Sequence, residues 1–272
     1  MIDFQEITEQ GNLYNFHTHT QFCDGRASME EFVKAAVEQG FKHLGFTPHS
    51  PIPVQSPCNM AAEKVSDYIT EFNRLKENYG SRIHLYLSME IDFLGHYGPT
   101  SEFFDAIPLD YKLASIHFIR SFNNPEEFID IDGHYDTFKV KMEKYFNGDI
   151  EQVVTTYYEQ EMDMIEQGGF DIVGHCDKIG FNASHYREGI DQEPWYDQLF
   201  HRLFESIMDH HLIVEVNTKS WLRYNRFFPG LKYFQLLKRY QAPVLINSDA
   251  HSPSLLNAGR TEALKHLLRL SV

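Results

Sequence analysis

Apolar, strand-like segments alternate with helix-like segments along this 272-residue chain, and this alternation constrains the fold more than any other feature. A repeated β-then-α order favours parallel strands with right-handed crossovers, and seven such units favour a barrel over an open sheet. We therefore predict an α/β barrel. The seven predicted strands lie at residues 13–17, 43–47, 83–91, 111–117, 171–175, 212–217 and 243–247.

The helix boundaries carry local signals. Ser28 is placed to cap a helix over residues 29–39, Glu31 completes a capping box, and Gly40 follows where a helix commonly ends. No repeats or linker-like stretches interrupt the chain, so we predict one domain over residues 1–272, with residues 118–148 as an insertion or lid. The other predicted helices lie at residues 61–79, 149–167, 195–210, 231–240 and 254–270.

Composition limits the binding partners and the cellular compartment that we expect for this chain. The formal net charge is −15 with histidines neutral, which argues against a nucleic-acid backbone as the main partner. No apolar stretch approaches the ~20 residues of a membrane span, and the first ten residues do not resemble a signal peptide. Cys23, Cys58 and Cys176 show no disulfide or CxxC spacing, so we expect a cytoplasmic protein. The oligomeric state stays open.

Histidines and carboxylates gather at the ends of the predicted strands. In a parallel barrel these ends meet at one face, where active sites are built. Side chains two apart on a strand share a side, so His17 and His19 are spaced to chelate one ion, and Asp249 and His251 repeat the spacing. The other polar residues at these ends are Asp24, His49, Glu90, His117 and His175.

These residue types are ligands of transition metals: imidazoles suit Zn, Mn or Fe, and carboxylates can bridge two ions. A single histidine at a strand end is more often a hydrogen-bonded core residue than a ligand, and HxH or DxH alone occurs by chance. Six histidines and three acids at six strand ends are harder to explain by packing. The sequence therefore predicts a metal site.

The same residues form a recognisable set of motifs. His17-Thr18-His19 with Cys23-Asp24-Gly25, Thr47-Pro48-His49, Glu90, Ser115-Ile116-His117, Gly174-His175-Cys176-Asp177 and Ser248-Asp249-Ala250-His251 resemble the PHP (polymerase and histidinol phosphatase) family, most of all its histidinol-phosphatase branch. Glu215-Val216-Asn217-Thr218 resembles that branch too. The resemblance implies a distorted (βα)7 TIM-like barrel of the PHP type, with three divalent metal ions whose identity (Zn, Mn or Fe) it leaves open.

Individual ligands follow from the resemblance. It implies that a first ion takes His17, His19, Glu90 and Asp249. A second ion would share Glu90 and add His117 and His175, and a third would take Asp24, His49 and His251. The resemblance also implies catalytic roles for Glu90, Asp249 and His251.

The resemblance implies metal-dependent hydrolysis of a phosphate monoester, most of all L-histidinol phosphate, as in histidine biosynthesis. Hydroxide generated by the metal ions would attack phosphorus. Three divalent ions against three carboxylates leave the cluster near +3, which suits a phosphate dianion. We expect Lys178 and Arg223 to bind substrate, with Arg187 and Arg260 as further candidates. Asp130, Asp132 and Asp136 are candidates for the cationic part of the substrate by their sign alone.

Other functions remain open at this level. One is a PHP phosphoesterase acting on another small ester, such as a nucleotide or sugar phosphate. A second is a metallo-hydrolase that attacks C–N bonds, although that class expects a carboxylated lysine where Glu90 stands. A third is a metal-binding protein without turnover. The predicted partner is a small phosphate ester, with no nucleic acid and no membrane.

Overall fold

Short parallel β-strands, joined by helices, form the framework of the protein. The computed structural model describes residues 2–269. In that range the strands are β1 (Tyr14–Asn15), β2 (His43–Phe46), β3 (His84–Leu87), β4 (Glu90–Asp92), β5 (Leu113–Ser115), β6 (Phe118–Arg120), β7 (Phe128–Asp130), β8 (Ile172–Val173), β9 (Ile213–Asn217) and β10 (Val244–Asn247).

The parallel strands form two sheets, in the orders β1-β2-β3 and β10-β9-β8-β5-β4. Isolated bridges join the sheets on both sides, Thr18 with Ala250 and His49 with Glu90. The strands therefore follow chain order around the molecule, and the predicted α/β barrel is confirmed. Its hydrogen-bond ladders do not close continuously, because the two bridges replace full strand pairing at the two seams.

The third predicted strand, residues 83–91, is not continuous as expected. It breaks at Ser88 and Met89, so that β3 pairs in one sheet and β4 in the other. The buried hydroxyl of Tyr68 lies 2.8 Å from the carbonyl oxygen of Ser88 and 3.0 Å from that of Phe46, and satisfies the backbone at the break. The break places Glu90 at the first position of β4, beside the end of β2.

The helices cover the outside of the barrel. The capping box predicted from Ser28 and Glu31 is confirmed, and Gly40 follows the helix with φ +83°. The α-helices of the described residues are α1 (Phe4–Glu9), α2 (Met29–Glu38), α3 (Val65–Tyr79), α4 (Glu102–Asp105), α5 (Tyr135–Tyr145), α6 (Ile150–Gln167), α7 (Ile179–Tyr186), α8 (Pro194–Asp209), α9 (Trp221–Tyr224), α10 (Phe234–Arg239) and α11 (Arg260–Arg269).

Several short elements were not predicted. Helices α1, α4, α7 and α9 have four to eight residues, too few for apolar periodicity to stand out from the surrounding loops. Residues 118–148 contain the antiparallel β6–β7 hairpin and α5. Their role as an insertion or lid, and the single-domain assignment, stay predictions. The closing helix was predicted to reach Leu270, which lies outside the described residues.

The barrel interior is aromatic at the end away from the polar strand ends. Phe4 on α1 packs edge to face against Phe16 and Tyr111, at centroid distances of 4.9 and 5.6 Å. The Tyr111 hydroxyl donates to the carbonyl of Phe16. Helix α1 therefore closes the amino-terminal end of the barrel. Among the described helices, none has the length and apolar character needed to cross a membrane.

Glu161 is a carboxyl group inside the core. It lies on the buried face of α6, fully removed from solvent, and neither of its oxygens accepts a hydrogen bond from the described residues. Burial raises the pKa of Glu161 to about 8, because the apolar surroundings disfavour the charged form. The folded protein therefore holds a proton at Glu161 at pH values where the unfolded chain releases it.

This difference predicts how Glu161→Gln changes stability. Because the folded pKa is raised, the stability of the wild type falls as pH rises from about 4.5 to 8, by up to roughly 4 kcal/mol. The glutamine variant has no proton to lose, so its free energy of unfolding should fall less over that range. Denaturant titrations at several pH values, with metal content held constant, measure this. Glu159→Gln, at an exposed site on α6, is the control, and parallel pH dependence of all three proteins would contradict the prediction.

Candidate metal centre

Eight of the nine predicted ligands follow the carboxyl ends of strands, and Glu90, at the start of β4, meets them there. The segment after β1 is fixed there by backbone hydrogen bonds, since His19 N–H donates to the carbonyl of Ala250 at 2.9 Å. Asn15 reinforces this seam through a side-chain bond to Ser248. The residues whose donor atoms form groups within 4.8 Å of one another include His17, His19, Asp24, His49, Glu90, His117, His175, Asp249 and His251.

The first group combines two imidazoles and two carboxylates. Nε2 of His17 and Nε2 of His19 are 3.1 Å apart, and each lies 3.3–3.4 Å from Glu90 Oε2. Asp249 Oδ1 is 3.0 Å from His19 Nε2 and 3.7 Å from His17 Nε2. Four tetrahedral donors around a zinc ion would lie about 3.3–3.6 Å apart. The spacing of this group therefore fits a single divalent ion.

Glu90 lies between two sets of histidines. Its Oε2 faces His17 and His19, whereas its Oε1 is 2.8 Å from His175 Nε2 and 3.4 Å from His117 Nε2. The carboxylate is 1% exposed, so these contacts form in the barrel interior. The carboxylate thus has one oxygen toward each group, and the bridging role that the resemblance implied for Glu90 stays a prediction.

The third group lies nearer to solvent. Oδ2 of Asp24 is 3.3 Å from His251 Nε2, and Oδ1 is 3.8 Å from His49 Nε2. Nδ1 of His19 also lies 3.7 Å from Asp24 Oδ1, so His19 contacts both the first group and this one. The predicted Asp24, His49 and His251 are thus brought together, with His19 beside them.

Two buried carboxylates orient the histidines, and sequence reasoning gave neither of them a role. Nδ1–H of His17 donates to Glu215 Oε1 at 2.7 Å, and Nδ1–H of His117 donates to Asp92 Oδ1 at 2.7 Å. Each bond fixes the tautomer that leaves Nε2 free to bind metal. Asp92 shares a strand face with Glu90, two residues earlier, and this spacing was the only local signal.

The charges at the site influence one another. Burial alone would lower the pKa of His17, but Glu215, Glu90 and Asp249 outweigh it, and the pKa is raised. Burial lowers the pKa of His19 well below its usual value, with the neighbouring histidines acting in the same direction. Burial opposes ionisation of Glu90, yet the surrounding histidines hold the pKa of its carboxyl well below the usual range. The site therefore favours ionised carboxylates and at least one neutral imidazole, the states that bind metal ions.

Two of these residues have strained backbones. His175 has φ +26° and Asp249 has φ +47°, in the region that favours glycine. Such conformations cost on the order of 1–3 kcal/mol each and persist where the surrounding structure holds them. Each lies two residues beyond the end of its strand, β8 or β10, and this backbone turn accompanies the entry of its side chain into the cluster.

Buried polar atoms without hydrogen-bond partners give a test of whether a metal fits. Among the described residues they include Asp24 Oδ1, His49 Nδ1, Glu90 Oε2 and His175 Nδ1. Leaving such atoms unsatisfied costs free energy, and a cation would satisfy the two carboxylate oxygens directly. The imidazole and carboxylate donors suit Zn, Mn or Fe equally. The residues present therefore fit divalent metal ions.

The two basic residues predicted to bind substrate, Lys178 and Arg223, lie in different surroundings. Lys178 is nearly buried and pairs with Asp132 at 3.2 Å, and its pKa is raised because Asp132, Asp249 and Glu90 outweigh burial. Arg223 is exposed, its guanidinium lies over the Tyr224 ring, and no described hydrogen bond or ion pair joins it to the cluster. Its role in substrate binding stays a prediction.

Of the remaining basic residues, the further candidates Arg187 and Arg260 form other contacts, whereas Lys219 contacts the cluster. Arg187 pairs with Glu151 and Glu193, and Arg260 is buried with its Nε donating to the carbonyl of Ile246. Lys219 was not predicted for the site. Its Nζ lies 3.2 Å from Asp249 Oδ1 and 3.3 Å from His251 Nε2, in direct contact with the cluster.

The family assignment rests on most of the chain. The sequence model of the PHP domain matches residues 15–219. The chain belongs to the PHP domain family. This confirms the resemblance found in the sequence. The matched range of the PHP domain contains seven of the nine predicted ligands, and Asp249 and His251 follow it.

Proteins with assigned functions resemble this chain over nearly its full length. A Deinococcus radiodurans protein named as a probable histidinol-phosphatase is 26% identical over 268 residues, covering 94% of this chain and 92% of the relative. A Listeria monocytogenes structure assigned as a histidinol phosphatase is 22% identical, with a TM-score of 0.82 over 92% of this chain and 99% of that one.

A second structure carries ligands. It is a histidinol phosphate phosphatase from Lactococcus lactis subsp. lactis in complex with zinc, L-histidinol and phosphate, 15% identical to this PHP protein. The TM-score is 0.68, over 95% of this chain and 93% of that one. At these identities the two structures establish the common fold.

The Asp92–His117 contact predicts an effect on metal binding. Asp92→Asn removes the carboxylate that fixes the His117 ring, so metal affinity should fall about 10- to 100-fold while the fold is kept. Equilibrium dialysis of metal-stripped protein against Zn²⁺ and Mn²⁺ measures this. Asp105→Asn, at an exposed position, is the control. Unchanged metal affinity in folded Asp92→Asn would show that His117 does not depend on Asp92.

Proposed function

We propose that this protein is a metal-dependent phosphatase that hydrolyses L-histidinol phosphate to L-histidinol and phosphate. The observation that carries the proposal is Glu90, whose two oxygens face separate sets of histidines at metal-like spacing. A relative matched over nearly its full length is named as a probable histidinol-phosphatase, and a protein of similar fold binds zinc, L-histidinol and phosphate. Hydrolysis of this ester is a step of histidine biosynthesis, which we place in the cytoplasm.

We propose three ions, in the groups that the family resemblance implied. His17, His19, Glu90 and Asp249 would hold the first, and Glu90 with His117 and His175 the second. Asp24, His49 and His251 would hold the third. When bound, such ions lower the pKa of water toward 7 and stabilise negative charge on a phosphoryl group.

The chain adds its own positive charges beside these groups. Lys219 Nζ lies against Asp249 and His251, and the charge of Lys178 is stabilised by Asp249 and Glu90. Once a metal ion neutralises Asp249, the Lys219 ammonium is free to contact phosphate oxygens, whereas Lys178 stays paired with Asp132 until a ligand competes for it. Lysine binds phosphate as a point charge, so exact alignment is not required. We propose Lys178 and Lys219 as the phosphate-binding pair.

The buried acids of the cluster hold the reacting groups in place. Glu215 and Asp92 orient His17 and His117, and Ser115 Oγ donates to Glu90 Oε1 at 2.8 Å. These bonds limit the movement of the ligands, so that electrostatic stabilisation is preorganised for the phosphoryl group. Glu90, Asp249 and His251 are the residues to which we assign catalytic roles, since each is in a metal-binding group.

A substrate panel tests the proposal. Protein stripped of metal and reloaded with Zn, Mn or Fe is assayed for phosphate release from L-histidinol phosphate, a sugar phosphate and a nucleoside monophosphate. We expect metal-dependent turnover with the highest kcat/KM for L-histidinol phosphate. A higher value for another ester would keep the phosphatase and remove the substrate assignment. No turnover with metal bound would leave a metal-binding protein.

Lys219→Met tests the phosphate-binding pair. Loss of one charge-assisted contact to phosphate should lower kcat/KM about 10- to 100-fold for every monoester, and weaken competitive inhibition by inorganic phosphate. Steady-state kinetics at constant metal content measure both effects. Arg223→Met is assayed beside it, because the sequence assigned substrate binding to Arg223. A larger loss in Arg223→Met would reverse the assignment.

A further inference from the structure

Three aspartates of residues 118–148 were candidates for the cationic part of the substrate, and the structure separates them. Asp130 pairs with Lys141 at 2.8 Å, and Asp136 is exposed in the first turn of α5. Asp132 instead pairs with Lys178 at 3.2 Å, and the nearby charges of His117, Lys219 and His175 also act on it. Only the surroundings of Asp132 are those of the candidate site.

The backbone around Asp132 is anchored to that site. The N–H of Ile131 donates to the carbonyl of the predicted ligand His117 at 2.9 Å. The Asn182 side chain donates to the carbonyls of Ile131 and Gly133, on both sides of Asp132, each at 3.0 Å. The Asp132 N–H donates to Asp130 Oδ1. The loop therefore fixes one carboxylate beside the metal-binding groups.

Asp132 is surrounded by positive charge. Its Oδ2 lies 3.2 Å from Lys178 Nζ, and its side chain keeps 28% of its exposure. Burial would raise its pKa, but Lys178, His117 and Lys219 outweigh burial and the pKa is lowered. The ion pair of Asp132 with Lys178 thus joins an acidic group that is neither a predicted ligand nor an orienting acid to a proposed phosphate-binding lysine.

We propose that Asp132 binds the ammonium group of the substrate's alcohol portion, and that its ion pair with Lys178 opens when substrate enters. This inference rests on the proposed function. Lys178 would move to the phosphate and Asp132 would take the ammonium, so one ion pair is replaced by two. The ligand class is a phosphate monoester of an amino alcohol.

This exchange of ion pairs selects against phosphate esters that carry no cationic group. An ester without a cation takes Lys178 from Asp132 and leaves that carboxylate unpaired beside a phosphate dianion. Repulsion between that carboxylate and the phosphate, together with a partly buried charge left without a partner, then opposes binding. Sugar phosphates and nucleotides carry no ammonium group, so Asp132 is a specificity-determining residue for the reaction.

The test compares two substrates and two variants. L-Histidinol phosphate carries the ammonium group, whereas p-nitrophenyl phosphate has no cation. We expect Asp132→Asn to lower kcat/KM for L-histidinol phosphate about 10- to 100-fold and to leave p-nitrophenyl phosphate unchanged or faster. Asp136→Asn makes the same charge change on the same segment and should alter neither. Asp132→Glu should recover part of the preference.

Two results would overturn the inference. Equal losses on both substrates would mean that Asp132 only positions Lys178 for phosphate, and no loss on either would mean that it does not contact substrate. If Asp132→Asn fails to fold, the wild type is compared on L-histidinol phosphate and its N-acetyl derivative. A difference below about threefold there would also overturn it, since loss of a charged partner costs more.

The kinetic results distinguish failure of the proposed phosphatase function from failure of the proposed role of Asp132. Wild-type protein that releases phosphate from neither substrate would remove both proposals together. Wild-type protein that hydrolyses L-histidinol phosphate with metal, but shows no selective loss in Asp132→Asn, would keep the phosphatase and remove only the role of Asp132.

Discussion

Glu90 is a charged carboxylate 1% exposed to solvent, with histidines on both sides. Isolated ionised groups are too costly to bury, so this one requires compensating charge and hydrogen bonds. The break in the third predicted strand allows this compensation, because it places Glu90 at the start of β4, beside the end of β2. The histidines, the orienting acids and the seams of the barrel are all arranged around this one buried group.

The supports of the cluster come from every side of the barrel. Glu215 on β9 holds His17 after β1, and Asp92 on β4 holds His117 after β5. His175 and Asp249 accept left-handed backbone conformations to direct their side chains inward. A fold stabilised by a large aromatic and aliphatic core can sustain such local costs, and metal binding would return free energy at the same place.

Charge is distributed unevenly between the surface and the site. The chain carries −15 overall, yet two lysines lie beside the metal-binding groups, and one of them pairs with a further acid, Asp132. A phosphate ester meets local positive potential only when the carboxylates are neutralised by metal. Metal loading and substrate affinity are therefore coupled by electrostatics, even though different residues provide them.

Local sequence patterns determined the order of strands and helices, because hydrophobic periodicity and caps such as Ser28 with Glu31 act between near neighbours. They also determined the nine candidate ligands, since parallel strand ends must meet at one face. The tertiary structure decided the rest. His17 meets Glu215 across 198 positions, and Lys219 meets Asp249 across 30. The break before Glu90, the open seams and the place of Asp132 likewise depend on contacts between distant segments. No periodicity encodes such contacts, because they arise only when the barrel closes and brings those segments together.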